Sequence, residues 1–258
     1  MSEQRSNPAR KLRIGMVVPS LNTIAEDDFR TYCPREVGYH VHRVRLRKRD
    51  GRVPMESLVR AYLEAGDAVG YLHDMEPDAI VFNCTGASVA YGASGDVAMA
   101  SQLSAELGVP VTNTMLAIKQ ALRALSAGPL LHVCPFADEF SRIEREALQA
   151  DGFQVQRTVS LGVASAQVAA RMSPAQIRDL VHAQLEPGIG AVLLSCANVR
   201  AFEAAAALER ELSLPVVTSN QAVLWWCLAL AGWRGRLAGA GRLFEVAGAA
   251  GPMQEAAR

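Results

Sequence analysis

The chain has 258 residues, half of them hydrophobic and a fifth charged. A chain this long buries roughly three quarters of its unfolded surface, which excludes disorder and removes any need for disulfide staples. Its 26 basic residues balance 26 acidic ones, so no net field draws it to nucleic acid or to an anionic membrane.

The opening MSEQRSNPARKLR is polar and reads as a tail, because it lacks the apolar stretch of a secretory signal. Short apolar runs then predict strands over 14–19, 39–46, 79–83, 109–113, 130–134, 153–161, 191–195 and 215–218. Several are continuous Val/Ile/Leu runs, the pattern of parallel strands covered on both faces. Amphipathic stretches over 55–75, 96–107 and 201–212 predict helices between them. Alternation of this kind specifies an α/β fold. No apolar run reaches the roughly 20 residues of a membrane span.

An internal repeat divides the chain. AIVFNCTG at 79–86 resembles AVLLSCAN at 191–198, an offset of 112. AELGVPVTNTMLAI at 105–118 resembles RELSLPVVTSNQAV at 210–223, an offset of 105. The first strand and its turn, MVVPSLNTIAEDDF, face LHVCPFADEF at an offset of 116. Three matches in one order predict two similar lobes with mostly parallel sheets. The boundary falls near Ser126-Ala127-Gly128-Pro129. The first lobe then covers 1–126 and the second 127–221. Residues 222–258, with a closing helix over 222–231, are expected to pack back on the first lobe.

The five cysteines are Cys33, Cys84, Cys134, Cys196 and Cys227. An odd count without a signal suggests reduced thiols in the cytoplasm. No CxxC or HExxH occurs, and His40, His42, His73, His132 and His182 do not cluster with cysteines. No metal site is expected. Cys227, inside AVLWWCLALAG, reads as core, and Cys33 as a loop thiol. Cys134 closes a strand, with core the favoured reading.

Cys84 and Cys196 differ from these. Each follows a buried strand and precedes a helical segment, at matching places in the repeat. Ligands of open parallel sheets bind outside the carboxyl ends of the strands. If the lobes face each other, the two thiols flank one cleft. A helix N-terminus there lowers a thiol pKa. One thiolate then serves as base or nucleophile, and the opposing thiol delivers a proton to the other face. Thr85, Ser88 and the N–H groups beside Gly86 are candidate donors for developing negative charge, as are Ala197 and Asn198. The alternative is that each cysteine is a small buried hydrophobe. Asn22, in VPSLNT, is a strand-end polar residue suited either to capping a helix or to ligand binding. His40 and His42, with Arg43, Arg45 and Arg47 alternating with them, read as a solvated strand. The stretch GASVAYGASG at 86–95 has neither the P-loop nor the GxGxxG pattern, so no nucleotide site is expected.

At these residues the chain resembles the aspartate/glutamate racemase superfamily, in the branch of maleate cis-trans isomerase and arylmalonate decarboxylase. VPSLNTIAE resembles the isomerase opening, which implies that Asn22 binds a substrate carboxylate. CTGASVAYG resembles the first-cysteine loop with its oxyanion donors. LLSCANVRAFEAAAALERELSLPVVTSNQA resembles the second-cysteine segment. The resemblance implies two Rossmann-like lobes, an interlobe active site, a small-carboxylate substrate and no cofactor. It also makes a homo-oligomer an expectation. In the decarboxylase the first position is Gly, so the presence of both Cys84 and Cys196 favours an isomerase or racemase. A decarboxylase using Cys196 as proton donor and a non-catalytic carboxylate-binding protein are the alternatives. Phe136, in CPFADEF, stands where the branch has a Tyr. Ser165 and Ala166 stand where the isomerase has an Asn. Both departures make maleate itself doubtful as a substrate.

Overall fold

The computed structural model describes residues 11–92 and 95–246. Most of the opening tail, and part of the 86–95 stretch, lie outside these residues. The elements run β1 (Leu12–Pro19), α1 (Ala25–Tyr32), β2 (Val37–Val44), α2 (Met55–His73), β3 (Ala79–Phe82), α3 (Thr85–Val89), α4 (Gly95–Leu107), β4 (Val111–Asn113) and α5 (Thr114–Ala124). They continue with β5 (Leu130–Cys134), α6 (Asp138–Ala150), β6 (Val155–Ser160), α7 (Ala166–Ala170), α8 (Pro174–Gln184), β7 (Ala191–Leu194), α9 (Ala201–Leu212), β8 (Val216–Thr218) and α10 (Ser219–Leu230).

Eight strands form two four-stranded parallel sheets with the same topology, β2-β1-β3-β4 and β6-β5-β7-β8. The sequence repeat is written into the hydrogen-bond register. The pair Ile14↔Ala79 recurs as Leu130↔Ala191, and Ile80↔Val111 recurs as Val192↔Val216. These recurrences carry the same shifts of 116, 112 and 105 residues that the sequence shows. The inner strands β3 and β7 are wholly apolar, β5 carries one polar residue, His132, and all three are buried at every residue.

The largest apolar cluster joins the two halves. Ile14, Met16 and Val81 of the first sheet and Leu193 and Val217 of the second share it with Ile118, Leu122, Leu224 and Cys227 of α5 and α10. Cys227 is thus a core residue. Helix α10 lies against α5 and β3. The segment that follows it turns to the other half, where Phe244 stacks on Phe202 and the Arg242 N–H donates to Glu209. Smaller clusters cover the outer faces. Tyr62 and Val69 of α2 pack on Ile80 and Phe82, and Leu208 of α9 joins Leu131 and Val192. No helix among the described residues is long and apolar enough to cross a membrane.

The helix ends follow local chemistry. Thr218 and Gln221 form a reciprocal capping box at α10, and Ser173 and Gln176 form another at α8. Asn113, at the amino end of α5, accepts from the Leu116 N–H. Because a parallel strand runs directly into such a helix start, the carboxyl ends of both sheets are ringed by short polar loops.

Candidate active site

Two of these loops carry the cysteines. β3 ends at Phe82 and β7 at Leu194, and Cys84 and Cys196 each follow two residues later. Both line one cavity of about 200 Å³. Loops after β1, β2 and β3 close it from one side, through Asn22, Leu46 and Cys84. Loops after β5, β6 and β7 close it from the other, through Phe136, Val163 and Cys196. The repeat therefore converges on one site, built from the carboxyl ends of both sheets as open α/β folds require.

Burial dominates the state of the two thiols. The Cys84 thiol is pushed up to about 12, mainly by burial, although the Ala87 and Gly86 N–H groups oppose the shift. Burial also pushes Cys196 up, against the Asn198 N–H, which lies 3.3 Å from its sulfur. The expectation of a lowered thiol pKa at the helix start is corrected here. A few backbone dipoles do not offset removal from water, and the Glu144 carboxylate adds a like charge at both sulfurs.

The backbone at Cys196 is strained, with φ at 137°, a region that residues with a Cβ rarely adopt. Its N–H donates to Ser219 Oγ at 2.9 Å, and Ser219 Oγ is 3.1 Å from Thr85 Oγ1. The two cysteine loops are thus joined through one hydroxyl. Asn22 accepts the Ile24 and Ala25 N–H groups through Oδ1 and donates Nδ2 to the Ala197 carbonyl at 3.0 Å. It caps α1 and ties the halves together while also lining the cavity. Asn198 accepts from the Thr23 N–H at 2.9 Å and donates to the Ala166 carbonyl at 2.9 Å.

Ser88 is the exception among the expected residues. It does not line the cavity, and its hydroxyl donates to the Cys84 carbonyl at 2.8 Å. One helical turn directs it back along α3, away from the cleft. Gly86, Thr85, Phe136 and Ala197 all line the cavity. A Cβ on Gly86 would meet Leu58 at 3.3 Å, so the absence of a side chain keeps this wall open. Phe136 meets Phe140 edge-on at 6.2 Å and, with Leu21, Leu46, Leu58 and Val163, makes much of the lining apolar. Ser165 caps α7 through the Val168 N–H.

The three charged lining residues escaped the sequence reading. Lys48 and Arg52, on the loop after β2, are exposed at the cavity rim. Glu144 of α6 lines the cavity yet is only 3% exposed. Its Oε2 accepts from Ser195 Oγ and lies 3.1 Å from His132 Nε2. In sequence, Glu144 reads as one more charge in DEFSRIEREAL, and only the tertiary packing of α6 on β5 turns it inward. No group of three or more His, Cys, Asp or Glu residues among the described residues is suited to a metal ion.

A buried polar chain stands behind the cysteine loops. Asn220 donates to Asp28 at 2.7 Å and to the Ala197 carbonyl at 3.0 Å, and Asn83 donates to Asn220 at 3.0 Å. The Asp28 carboxyl is pushed up to about 7, chiefly by burial, with Asn220 opposing.

The chain is similar to several known proteins. The family model for arylmalonate decarboxylase matches residues 59–244. A maleate isomerase of Pseudomonas putida is 25% identical over 91% of this chain and 98% of its own length. An arylmalonate decarboxylase of Bordetella bronchiseptica is 28% identical over 65% of this chain and 72% of its own. Among solved structures, a Cys-to-Ser mutant of the Nocardia farcinica maleate cis-trans isomerase, with a covalently bound succinylcysteine intermediate, superposes with a TM-score of 0.82. That match is 22% identical and covers 90% of this chain and 98% of the other.

Proposed function

Because the chain belongs to the arylmalonate decarboxylase family, we propose that it is a cofactor-independent isomerase or racemase acting at a carbon next to a carboxylate. Cys84 is the base or nucleophile and Cys196 the opposing acid. In this reading residues 1–126 and 127–221 are the two lobes, α10 packs back on the first while Arg242 and Phe244 beyond it reach the second, and the reaction takes place between the lobes. The observation that carries the proposal is the convergence of both thiols, from equivalent strand ends, on one buried cavity.

The chemistry balances without a cofactor. In racemisation the Cys84 thiolate takes the proton beside the carboxylate, and the freed electron pair spreads into the carboxylate as an enediolate. The Cys196 thiol then returns a proton to the opposite face, so thiol and thiolate exchange places. In isomerisation the Cys84 thiolate adds to one alkene carbon and Cys196 protonates its neighbour. Rotation about the new single bond and reversal of both steps release the other isomer. The backbone N–H groups of Thr85, Gly86 and Ala197 hold the carboxylate or enediolate, while Asn22 and Asn198 fix the loops that present them. Both elevated thiols favour the neutral resting form, so turnover runs through the small fraction of molecules in which Cys84 has given its proton to water.

Proton NMR in D₂O tests the proposal with maleate, aspartate, glutamate, hydantoins, arylpropionates and arylmalonates. Deuterium entering beside a carboxylate without carbon dioxide release is the expected result. A second reading, decarboxylation of a substituted malonate, has the apolar Phe136, Phe140 and Leu58 walls in its favour. It requires Cys196 alone, and carbon dioxide release identifies it. An absence of exchange and of carbon dioxide release across the panel overturns both readings.

A further inference from the structure

Among the described residues that line the cavity, Glu144 is the only acid. It is not placed there as a surface charge, for its side chain is 4% exposed. Ser195 Oγ donates to Oε2, and His132 Nε2 approaches the same oxygen at 3.1 Å. His132 Nδ1 is buried without a partner. A bare ring nitrogen is better tolerated there than an orphaned N–H, so Nε2 carries the hydrogen that points at Glu144. Both hydrogens therefore converge on Oε2. Oε1 has no protein donor among the described residues. Glu144 is thus held in one orientation with an acceptor left for whatever fills the cavity.

The charges at the two ends of the cavity differ in sign. Lys48 and Arg52 stand at the exposed rim, while Glu144 is buried. A substrate carboxylate is drawn toward the rim cations and the N–H groups beside Cys84. A second carboxylate set against Glu144 would meet only acceptors, between apolar walls that screen the repulsion poorly.

We infer that the cavity takes a monocarboxylate bearing a hydrogen-bond donor, an ammonium or hydroxyl group, beside the reacting carbon, and that Glu144 Oε1 accepts from that donor. This rests on the two-thiol reading for the position of the reacting carbon. It makes Glu144 a specificity-determining residue and sets the preferred substrate apart from dicarboxylates. A site built to hydrogen-bond a donor strongly rejects the analogue that lacks it, because its own buried group is then left unpaired.

The test uses four acids that differ in one substituent on the same carbon. These are phenylglycine with ammonium, mandelate with hydroxyl, 2-phenylpropionate with methyl and phenylmalonate with a second carboxylate. Titration calorimetry of the intact chain at neutral pH should give phenylglycine and mandelate dissociation constants at least about tenfold below the other two, the ratio expected of one charge-assisted hydrogen bond. Glu144→Gln should erase the advantage of phenylglycine over phenylmalonate, with circular dichroism checking that the variant is folded. The wild-type ratio alone suffices if it is not. Equal or tighter binding of phenylmalonate, or no binding of any of the four, overturns the inference. Deuterium exchange is read on the same samples. Binding in the expected order without exchange upholds Glu144 as the selector and instead removes the two-thiol chemistry.

Discussion

Ser219 Oγ accepts the Cys196 N–H at 2.9 Å while lying 3.1 Å from the hydroxyl of Thr85. One buried side chain, at the first turn of α10, therefore sets the spacing of the two cysteine loops and holds Cys196 in its strained conformation. Ser219→Ala leaves the Cys196 N–H and the Thr85 hydroxyl without this partner. The expected cost is about 1–3 kcal/mol of stability, read by urea unfolding, together with a fall in kcat larger than any change in KM. Unchanged kcat would show that the cysteine loops keep their geometry without this link.

The buried Asp28 gives a pH signature. Burial pushes its carboxyl up to about 7 in the folded chain, against an ordinary value of 3.8. The folded state thus keeps a proton that the unfolded chain has released between those values. This contribution to stability is full below about pH 4 and is lost as pH rises to about 7, at up to about 1.4 kcal/mol per pH unit. Asp28→Asn removes the titration while leaving an oxygen to accept from Asn220. Relative to wild type the variant should gain up to about 4 kcal/mol between pH 4 and pH 8. Parallel stability curves for the two proteins would contradict this.

The elevated Cys84 thiol has a kinetic consequence. An ordinary thiol, with a pKa of about 8.5, approaches its maximal alkylation rate near pH 9. Cys84, pushed up to about 12, should react with iodoacetamide more slowly than a free thiol at pH 7. Its rate should still climb about tenfold per unit past pH 9. Mass spectrometry of the peptide containing Cys84 follows this directly, and a plateau near pH 8.5 would refute the dominance of burial.

Phe136 lines the cavity but has no group to donate. The family resemblance puts a tyrosine hydroxyl at this point. Phe136→Tyr should therefore lower KM for maleate or phenylmalonate about tenfold, one added hydrogen bond to a charged oxygen, with little effect on a 2-arylpropionate. An equal change for both kinds of acid would mean that the ring acts through packing alone.

Much of this architecture was legible in the sequence, for definable reasons. Several strands are continuous apolar runs, such as AIVF and AVLL, and each predicted run overlaps an observed strand. The repeat was readable because each half buries the same faces, so AIVF and AVLL occupy matched places in two parallel ladders. Cys84 and Cys196 stood out because the repeat aligned them. What escaped was whatever depended on packing between elements. Ser88 has the composition of an oxyanion donor, but α3 is a single short turn whose direction is not written in five residues. Lys48 and Arg52 belong to RVRLRKRDGR, where every cation resembles a solvated charge until the loop after β2 folds over the cavity. Glu144 was hidden for the opposite reason, since its partners come from two other elements, His132 from the middle of β5 and Ser195 from just beyond β7. The depressed thiol pKa expected from helix position failed because burial outweighs backbone dipoles at both sulfurs.

The most direct test of the central claim is turnover by the wild type, Cys84→Ala and Cys196→Ala on one substrate, followed by NMR in D₂O, with thermal melts of all three. The two-thiol account predicts that each substitution abolishes interconversion of the stereoisomers while the melting temperature stays within about 5 °C of wild type. Full activity in either folded variant would contradict it. Activity that survives in Cys84→Ala alone, with carbon dioxide released, would assign the cavity to decarboxylation through Cys196.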